Sequence, residues 1–180
     1  FDGMKENLSH PKWKPDYGPS KMHRSAGVTA IGARNFLIAY NINLNTNDKR
    51  IATDIAFDIR EQGRNKRDKK GKFVRDKFGI PIKVPGILKN CKAVGWYIDE
   101  YKLAQVSMNL TNIDITPTHI AFEEARKQSR KRGVRVIGSE LVGLIPLDAM
   151  ISAGKYYLRK QKRSTGIPTK DILNIAIKSM

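Results

Sequence analysis

The feature that most constrains the fold of this chain is the alternation in the segment NFLIAYNINLN, residues 35–45. One parity carries large apolar side chains, namely Phe36, Ile38, Tyr40, Ile42 and Leu44. The other parity carries Leu37, Ala39, Asn41, Asn43 and Asn45. Because successive side chains of a β-strand point to opposite faces, the segment predicts a strand that buries one face and presents amides on the other.

The periodicity downstream predicts further elements in the order αββαβ, followed by two helices. The first helix is expected from Asp48 to Gln62, because isoleucines recur at every fourth residue and Gly63 suits a helix end. The others are strands Ala93–Asp99 and Leu103–Thr111 joined by a hairpin turn, a helix over 116–133 capped by Thr116, strand Val134–Val142, and helices Leu147–Lys160 and Lys170–Ser179. The predicted fold is therefore α+β, an α/β sandwich with a ferredoxin-like βαββαβ sheet, helices on one face and extra C-terminal helices.

Length and composition limit the class of protein. The 180 residues suffice for one ordinary domain, and 40% hydrophobic with 28% charged residues is typical of a globular protein. No apolar run approaches about 18 residues and the N-terminus lacks a signal-peptide core, so no membrane association is expected. A single cysteine, Cys91, is typical of a reducing compartment, and we expect a cytoplasmic protein.

Residues 1–34 differ from the rest of the chain because they lack clear periodicity and are rich in proline and glycine. They are expected to form a functional loop or the tail of a preceding domain, with 35–180 as the main domain. Because Phe1 cannot initiate translation, we expect a fragment, a processed product or a trimmed chain.

The formal net charge of +17 is distributed unevenly. Between Arg60 and Lys92 there are twelve basic and three acidic residues, interspersed with glycine and proline, which predicts an exposed loop or extended hairpin. Three interpretations stay open for this segment: a nucleic-acid patch, a solvated loop, or a positive rim that attracts a polyanionic small molecule.

The polar face of the predicted sheet is the candidate binding surface. It would carry Asn41, Asn43, Gln105, Ser107 and Asn109, together with Gly95 and Tyr97 in the expected hairpin register. Trp96 shares the parity of Val94 and Ile98 and is expected in the core. Short amides beside small residues favour the close approach of a ligand or a second sheet, while the alternative is a solvent-facing side.

Searches for catalytic motifs find no nucleophile elbow, phosphate-binding P-loop, CxxC or HExxH pattern. The histidines His10, His23 and His119 lack metal-ligand spacing, so neither a metal nor a catalytic residue is expected in this chain. His23, in a glycine-flanked loop beside Lys21 and Arg24, is the better candidate for a ligand contact, whereas His119 is expected to be a surface or packing residue.

Five ordered segments resemble the glutamate formimidoyltransferase family, the formiminotransferase half of formimidoyltransferase-cyclodeaminase. They are WKPDYGPS (Trp13–Ser20), GVTAIGARNFLIAYNINL (Gly27–Leu44), IREQGR (Ile59–Arg64), GWYIDEYKLAQVSMNL (Gly95–Leu110) and GSELVGLIPLDAM (Gly138–Met150). The resemblance implies transfer of a formimino or formyl group between N-formimino-L-glutamate and tetrahydrofolate in histidine degradation, without a metal. It also implies two subdomains with folate between their sheets, and a homodimer.

The resemblance assigns residues 1–34 to the end of the N-terminal subdomain and 35–180 to the C-terminal subdomain. In the family the folate-contacting stretch follows a Pro-Asp-aromatic-Gly-Pro motif, here residues 15–19, although Ala26 and Arg24 depart from the family's usual tryptophan and proline. The implied folate-binding residues are Gly18, Pro19, Ser20, Lys21, Met22, His23, Arg24, Ser25, Ala26 and Gly27. Further candidate contacts are Arg34, Asn41, Asn43, Tyr97 and Gln105, with Arg60 and Arg64 for the glutamate tail.

The general acid/base histidine of the family lies upstream of every segment matched here, so this chain alone is expected to be inactive. Two alternatives stay open. One is a basic ferredoxin-like nucleic-acid-binding module, although nucleic-acid binding is not the favoured interpretation because Tyr97 is the single aromatic residue expected on the polar face. The other is a folate-binding subunit without turnover of its own.

Overall fold

The computed structural model describes residues 3–77 and 79–180, which form two compact units. The shorter unit ends at Arg34 and the longer one runs from Asn35 to Met180. The shorter unit contains a one-turn helix α1 (Met4–Asn7), a 3-10 turn (Pro11–Trp13) and an isolated bridge between His23 and Gly27.

The longer unit is built on a four-stranded antiparallel sheet. Its elements are β1 (Ile38–Leu44), α2 (Lys49–Ile59), β2 (Arg64–Asn65), β3 (Lys83–Val84), β4 (Cys91–Ile98), β5 (Leu103–Leu110), α3 (Thr118–Arg130), β6 (Val136–Val142), α4 (Leu147–Lys160) and α5 (Thr169–Ser179). The main sheet has the strand order β4-β5-β1-β6, while β2 and β3 form a separate two-stranded sheet. The predicted α+β sandwich of split βαβ topology is confirmed.

Helices α2 and α3 pack against each other and against one face of the main sheet, and α4 and α5 continue this layer. On β1, Ile38, Ile42 and Leu44 are completely buried, as is Ile55 of α2. Full burial of such a side chain stabilises the fold by about 1.5–3 kcal/mol, so this face supplies most of the driving force for folding. Among the described residues, no helix is both long and apolar enough to cross a bilayer.

The hairpin of β4 and β5 corrects one prediction from the sequence. Gly95 pairs with Val106 and Tyr97 with Ala104, which places both on the helix-covered face rather than on the polar face. Trp96 pairs with Gln105 and lies on the open face, not in the core. The reason is steric: a Cβ on Gly95 would lie 2.1 Å from the backbone nitrogen of Thr53, so α2 approaches too closely for a large side chain on this parity.

Two helix boundaries also differ from the predicted ones. Helix α2 ends at Ile59 because Arg60 turns to an extended conformation, three residues before Gly63 adopts a φ of 62°. Thr116 does not cap α3, since its hydroxyl donates to the carbonyl of Lys89 at 2.5 Å. That bond ties the start of α3 to the segment that precedes β4.

Candidate functional site

A chain of side-chain hydrogen bonds crosses all four strands on the open face of the main sheet. The Nε1 of Trp96 on β4 donates to Oε1 of Gln105 on β5 at 2.7 Å. Gln105 Nε2 donates to Asn43 Oδ1 on β1 at 2.6 Å and to a carboxylate oxygen of Glu140 on β6 at 3.1 Å. Asn43 Nδ2 donates to the other oxygen of Glu140 at 2.7 Å. We call these four residues the open-face network.

The strand register explains why these side chains meet. Gln105 lies directly opposite Asn43 on one side and Trp96 on the other, and Glu140 lies opposite Asn41, one step diagonal from Asn43. Gln105 is fully buried although it lies on this face. A buried amide needs hydrogen-bond partners, and here three bonds fix both of its ends.

Apolar side chains surround the network on the same face. Val94 and Val142 are 55% and 52% exposed, and Trp96 is 46% exposed. Asn41 is 8% exposed between them. A few oriented polar groups within an apolar surface are typical of sites that bind organic ligands.

Of the residues predicted to share the polar face, the structure brings the amides together and places Tyr97 elsewhere. Asn43 and Gln105 are in direct contact, and Asn41 lies beside them on β1. Tyr97 lies on the opposite face, so its predicted place beside the amides is wrong.

Sequence reasoning placed Trp96 in the core, which is wrong, and gave no role to Glu140. The alternation along β4 places Trp96 on the open face once it is known that α2 leaves room only for small residues on the other face. The position of Glu140 is harder to predict, because the pairing of β6 with β1 shifts register between Asn43 and Leu44.

The predicted folate-contacting segment, Gly18–Gly27, lies in the shorter unit and forms a compact turn there. Nδ1 of His23 accepts a hydrogen bond from the backbone nitrogen of Ala26 at 3.0 Å and a longer one from that of Ser25 at 3.4 Å. Gly18 and Gly27, at its ends, have φ values of 84° and 69°, which favour glycine. The histidine ring therefore acts as a turn-forming acceptor that fixes the loop.

This turn borders a groove within the shorter unit. Six of the ten predicted residues line it, together with Trp13 and Tyr17: Pro19, Lys21, Met22, His23, Arg24 and Gly27. Gly18, Ser20, Ser25 and Ala26 are not among its lining residues. Arg34 is an exposed residue at the end of this unit.

The two arginines predicted to receive a glutamate tail have different surroundings. Arg64 donates to the carboxylates of Asp54 and Asp58, so its charge is compensated within the protein. Arg60 lies over the ring of Phe57 with 4.3 Å from its guanidinium carbon to the ring centre, and its Nε donates to the carbonyl of Gly63. Burial, with a smaller effect from the charge of Arg64, lowers the pKa of Arg60.

Burial shifts the pKa values of three titratable groups behind the covered face toward their neutral forms. Burial raises the pKa of the Cys91 thiol to about 12 and that of the Tyr40 hydroxyl to about 12. His119 stacks on Tyr156 with ring centres 4.6 Å apart, and burial lowers its pKa. This confirms the prediction of a packing role for His119. Within residues 3–77 and 79–180, no three His, Cys, Asp or Glu side chains converge on a common point.

The fold and the open face define the class of this protein, an α+β domain of split βαβ topology that presents ordered amide, indole and carboxylate groups on a sheet. The chain belongs to the formiminotransferase domain family, since the family profile for the formiminotransferase domain matches residues 39–180. The profile for the N-terminal subdomain of the formiminotransferase domain matches residues 1–34.

Curated relatives agree with this family assignment. The chain is 44% identical over 161 residues to formimidoyltransferase-cyclodeaminase of Dictyostelium discoideum and 42% identical over 162 residues to that of Mus musculus, which covers 89% and 90% of this chain but 27% of each relative. It is 40% identical over 159 residues to glutamate formimidoyltransferase of Streptococcus pyogenes serotype M1, covering 88% of this chain and 46% of that protein. The chain thus spans less than half the length of these relatives.

Proposed function

We propose that this chain is the folate-binding C-terminal portion of a glutamate formimidoyltransferase. The whole enzyme would transfer a formimino or formyl group between N-formimino-L-glutamate and tetrahydrofolate in histidine degradation. Membership of the formiminotransferase family supports the reaction class. The observation that carries the binding role is the open-face network, because it holds three polar side chains in fixed orientations beside the exposed ring of Trp96.

Each part of the open face has a chemical task in this proposal. The indole of Trp96 offers an apolar surface for the flat pterin or aminobenzoate ring of the folate. Asn41 and Asn43 supply amide donors and acceptors to the ring edge, and Gln105 keeps Asn43 and Trp96 in place. The carboxylate of Glu140 accepts hydrogen bonds from the ligand, which compete with those that Asn43 and Gln105 donate to it. Prior fixation of these groups lowers the entropy cost of binding.

The turn at residues 18–27 is assigned to folate as well. The groove it borders contains Lys21 and Arg24, whose charges suit the carboxylates that every folate carries. Residues 1–34 are proposed to be the end of the N-terminal subdomain and 35–180 the C-terminal subdomain. The proton-transfer histidine is assigned to the upstream part of that N-terminal subdomain, so the chain by itself binds folate without turnover. Binding and proton transfer are separable contributions to catalysis. We also propose a homodimer and a cytoplasmic location.

Calorimetric titration of the purified chain with 5-formyltetrahydrofolate tests the binding role. Asn43→Ala should weaken binding by about tenfold or more, since the loss of one oriented hydrogen bond corresponds to about 1.4 kcal/mol. Asn109→Ala is the matched control, because Asn109 is an exposed amide one strand away on the same face.

A second assay tests the reaction. The chain is mixed with the separately expressed N-terminal subdomain of the Streptococcus pyogenes relative, and formimino transfer to tetrahydrofolate is followed. Turnover in the mixture and not in either part supports the proposal. A chain that is folded, silent to folate and unable to complement would overturn it.

A further inference from the structure

The basic segment, Arg60–Lys92, contains a short repeat of eight residues. Lys66–Phe73 reads KRDKKGKF and Val74–Pro81 reads VRDKFGIP, so Arg-Asp-Lys and a glycine recur at a spacing of eight residues. The two copies differ in charge. The first holds five lysines and arginines with one aspartate, and the second holds two with one aspartate.

Both repeats fold into the same hairpin. The aspartate nitrogen donates to the carbonyl four residues on, Asp68 to Lys72 and Asp76 to Ile80, at 2.9 Å in each case. The glycine nitrogen donates back to the aspartate carbonyl at 3.0 Å in both, and Gly71 has a φ of 79°. This is a turn followed by a left-handed glycine, the usual short connection of a hairpin.

Side chains reinforce each hairpin in the same way. Arg67 Nη1 donates to the carbonyl of Gly71 at 2.6 Å, and Arg75 Nη1 donates to that of Gly79 at 2.6 Å. A carboxylate oxygen of Asp68 accepts hydrogen bonds from the backbone nitrogens of Lys70 and Lys72, at 2.8 Å and 2.9 Å. The aspartate is therefore engaged in forming the turn, and the lysines around it, Lys69, Lys70 and Lys72, are exposed.

The hairpins meet at a closed ring of three backbone hydrogen bonds. Lys66 donates to Ile82, Ile82 donates to Val74, and Val74 donates to Lys66, at 2.7 Å, 2.9 Å and 2.9 Å. These residues are the equivalent positions of successive repeats. The segment is thus hydrogen-bonded into a lobe, which we call the double-hairpin lobe (residues 64–77 and 79–84), although most of its residues are exposed to solvent.

A groove runs between this lobe and the helical layer, and cations predominate along it. Six of its lining residues are basic: Arg60, Arg64, Lys66, Arg67, Lys83 and Lys131. Its two carboxylates, Asp54 and Asp58, pair with Arg64, and Asp58 also pairs with Arg132. The groove therefore keeps an excess of positive charge.

Two guanidinium groups in the groove lie on aromatic rings. The guanidinium carbon of Arg67 is 4.4 Å from the ring centre of Phe73, and that of Arg60 is 4.3 Å from that of Phe57. Stacking fixes the plane of each guanidinium group. Arg60 Nε and Arg67 Nη1 already donate to the carbonyls of Gly63 and Gly71, so the other two nitrogens of each group form the edge that can make a two-pronged contact with an anion. Apolar side chains that stay exposed, Ile80 and Ile87, lie along the same groove.

We propose that the double-hairpin lobe is a binding surface for single-stranded nucleic acid, separate from and additional to the folate role. Stacked arginine forks match phosphate oxygens, and the lysines of the first hairpin continue the positive charge for a backbone that carries one charge per nucleotide. The exposed apolar side chains accept unstacked bases. An acidic peptide would neutralise the basic side chains, but it has no planar bases to cover the exposed apolar side chains of the groove.

Fluorescence anisotropy with a labelled oligouridylate of about 12 nucleotides, within the size range of single-strand sites, tests the proposal. The triple variant Lys66→Gln, Lys83→Gln and Lys131→Gln removes three exposed groove cations. At a salt concentration of about 0.15 M it should bind at least tenfold more weakly. The slope of log affinity against log salt should fall in magnitude by about 2, since each phosphate contact to a single strand contributes about 0.7.

The matched control is Lys162→Gln, Lys170→Gln and Lys178→Gln. These three exposed lysines lie just after α4 or in α5, do not line the groove, and give the same change in net charge. Retained binding in the control supports the proposal. Equal loss in both triple variants would show that binding follows overall charge, and no binding by the parent chain at this salt would also overturn the proposal. So would displacement of the oligonucleotide by an equal charge of oligoglutamate, since that would identify an acidic-peptide surface instead.

Discussion

The two faces of the main sheet are built on opposite principles. On the covered face, small residues of β4 meet α2 at a distance that one glycine defines, and apolar side chains of β1 are buried under the helical layer. On the open face, the side chains of the open-face network hold one another by hydrogen bonds, while apolar neighbours such as Val94 stay exposed. The covered face is determined by close packing of side chains, and the open face by the geometry of its hydrogen bonds.

This difference has a consequence for mutation. Interiors are close-packed, so an added methyl group on the covered face has nowhere to go. The open face has room, but its polar groups lose their partners when one member is removed. The first kind of change should affect folding alone, whereas the second should affect folding moderately and ligand binding strongly.

Gly95→Ala should have the largest effect. A Cβ there would lie 2.1 Å from the backbone nitrogen of Thr53, and helix α2 would have to move away from β4. We expect the free energy of unfolding to fall by about 3 kcal/mol or more, as overpacking against backbone does at its upper range. Urea unfolding measures it. Gly138→Ala on the open-face side of β6, where a Cβ meets nothing within 4 Å, is the control and should change stability little. Equal loss at both positions would contradict the contrast between the faces.

Gln105→Ala should come next. The change leaves the Nε1 of Trp96 and the Oδ1 of Asn43 without the partners seen here, and each unsatisfied group costs about 1–3 kcal/mol when it is buried. Because Trp96 is half exposed and water can replace its partner, we expect the free energy of unfolding to fall by an amount near the lower end of this range. Thermal unfolding compares it with Asn109→Ala on the same strand and face, which should lie within about 0.5 kcal/mol of the parent. A Gln105→Ala variant as stable as that control would show that the open-face network contributes nothing to stability.

The sequence predicts the covered face well because its signal is periodic. The alternation around Ile38, Ile42 and Leu44 and the spacing of Ile51, Ile55 and Ile59 each follow from the geometry of a single element. The error at Gly95 and Tyr97 came from a rule that large apolar residues face the core. That rule fails where a helix lies close to the sheet, and this distance is a property of two elements together rather than of either alone.

The open-face network was predicted in part for the same reason. Asn43 and Gln105 were found from strand parity, but Glu140 depends on the pairing of β6 with β1 and on its register shift. The double-hairpin lobe shows the converse case. Its eight-residue repeat is present in the sequence, but it is shorter than the periods of about 20–50 residues that define known repeat folds, so the repeat alone does not predict a structure.

A third prediction concerns the helical layer behind the covered face. Burial lowers the pKa of His119 in the folded protein below its usual 6.5, and the charge of Glu123 partly offsets this effect. In the unfolded chain it takes up a proton below that pH, so the unfolded state binds more protons and stability falls as the pH decreases below about 6.5. His119→Phe keeps a ring on Tyr156 and should flatten the decline in melting temperature between about pH 6.5 and pH 5. An unchanged slope would assign the decline to other groups.

Glu140→Gln should have the smallest effect on stability and the most informative effect on binding. The substituted amide retains one carbonyl oxygen, so it can still accept from Asn43 Nδ2 or Gln105 Nε2, and the network loses one bond of about 0.5–1.5 kcal/mol in which solvent can partly substitute. The change also removes the one negative charge of the network and places a donor where donors already converge. If the open face binds folate through donors on the ligand ring, calorimetry should therefore record weaker binding of 5-formyltetrahydrofolate, while the melting temperature stays close to that of Asn109→Ala. A loss of stability as large as that of Gln105→Ala, with folate binding by the folded protein unchanged, would mean that Glu140 only stabilises the sheet. Both faces would then serve folding, although one does so by apolar packing and the other by hydrogen bonds.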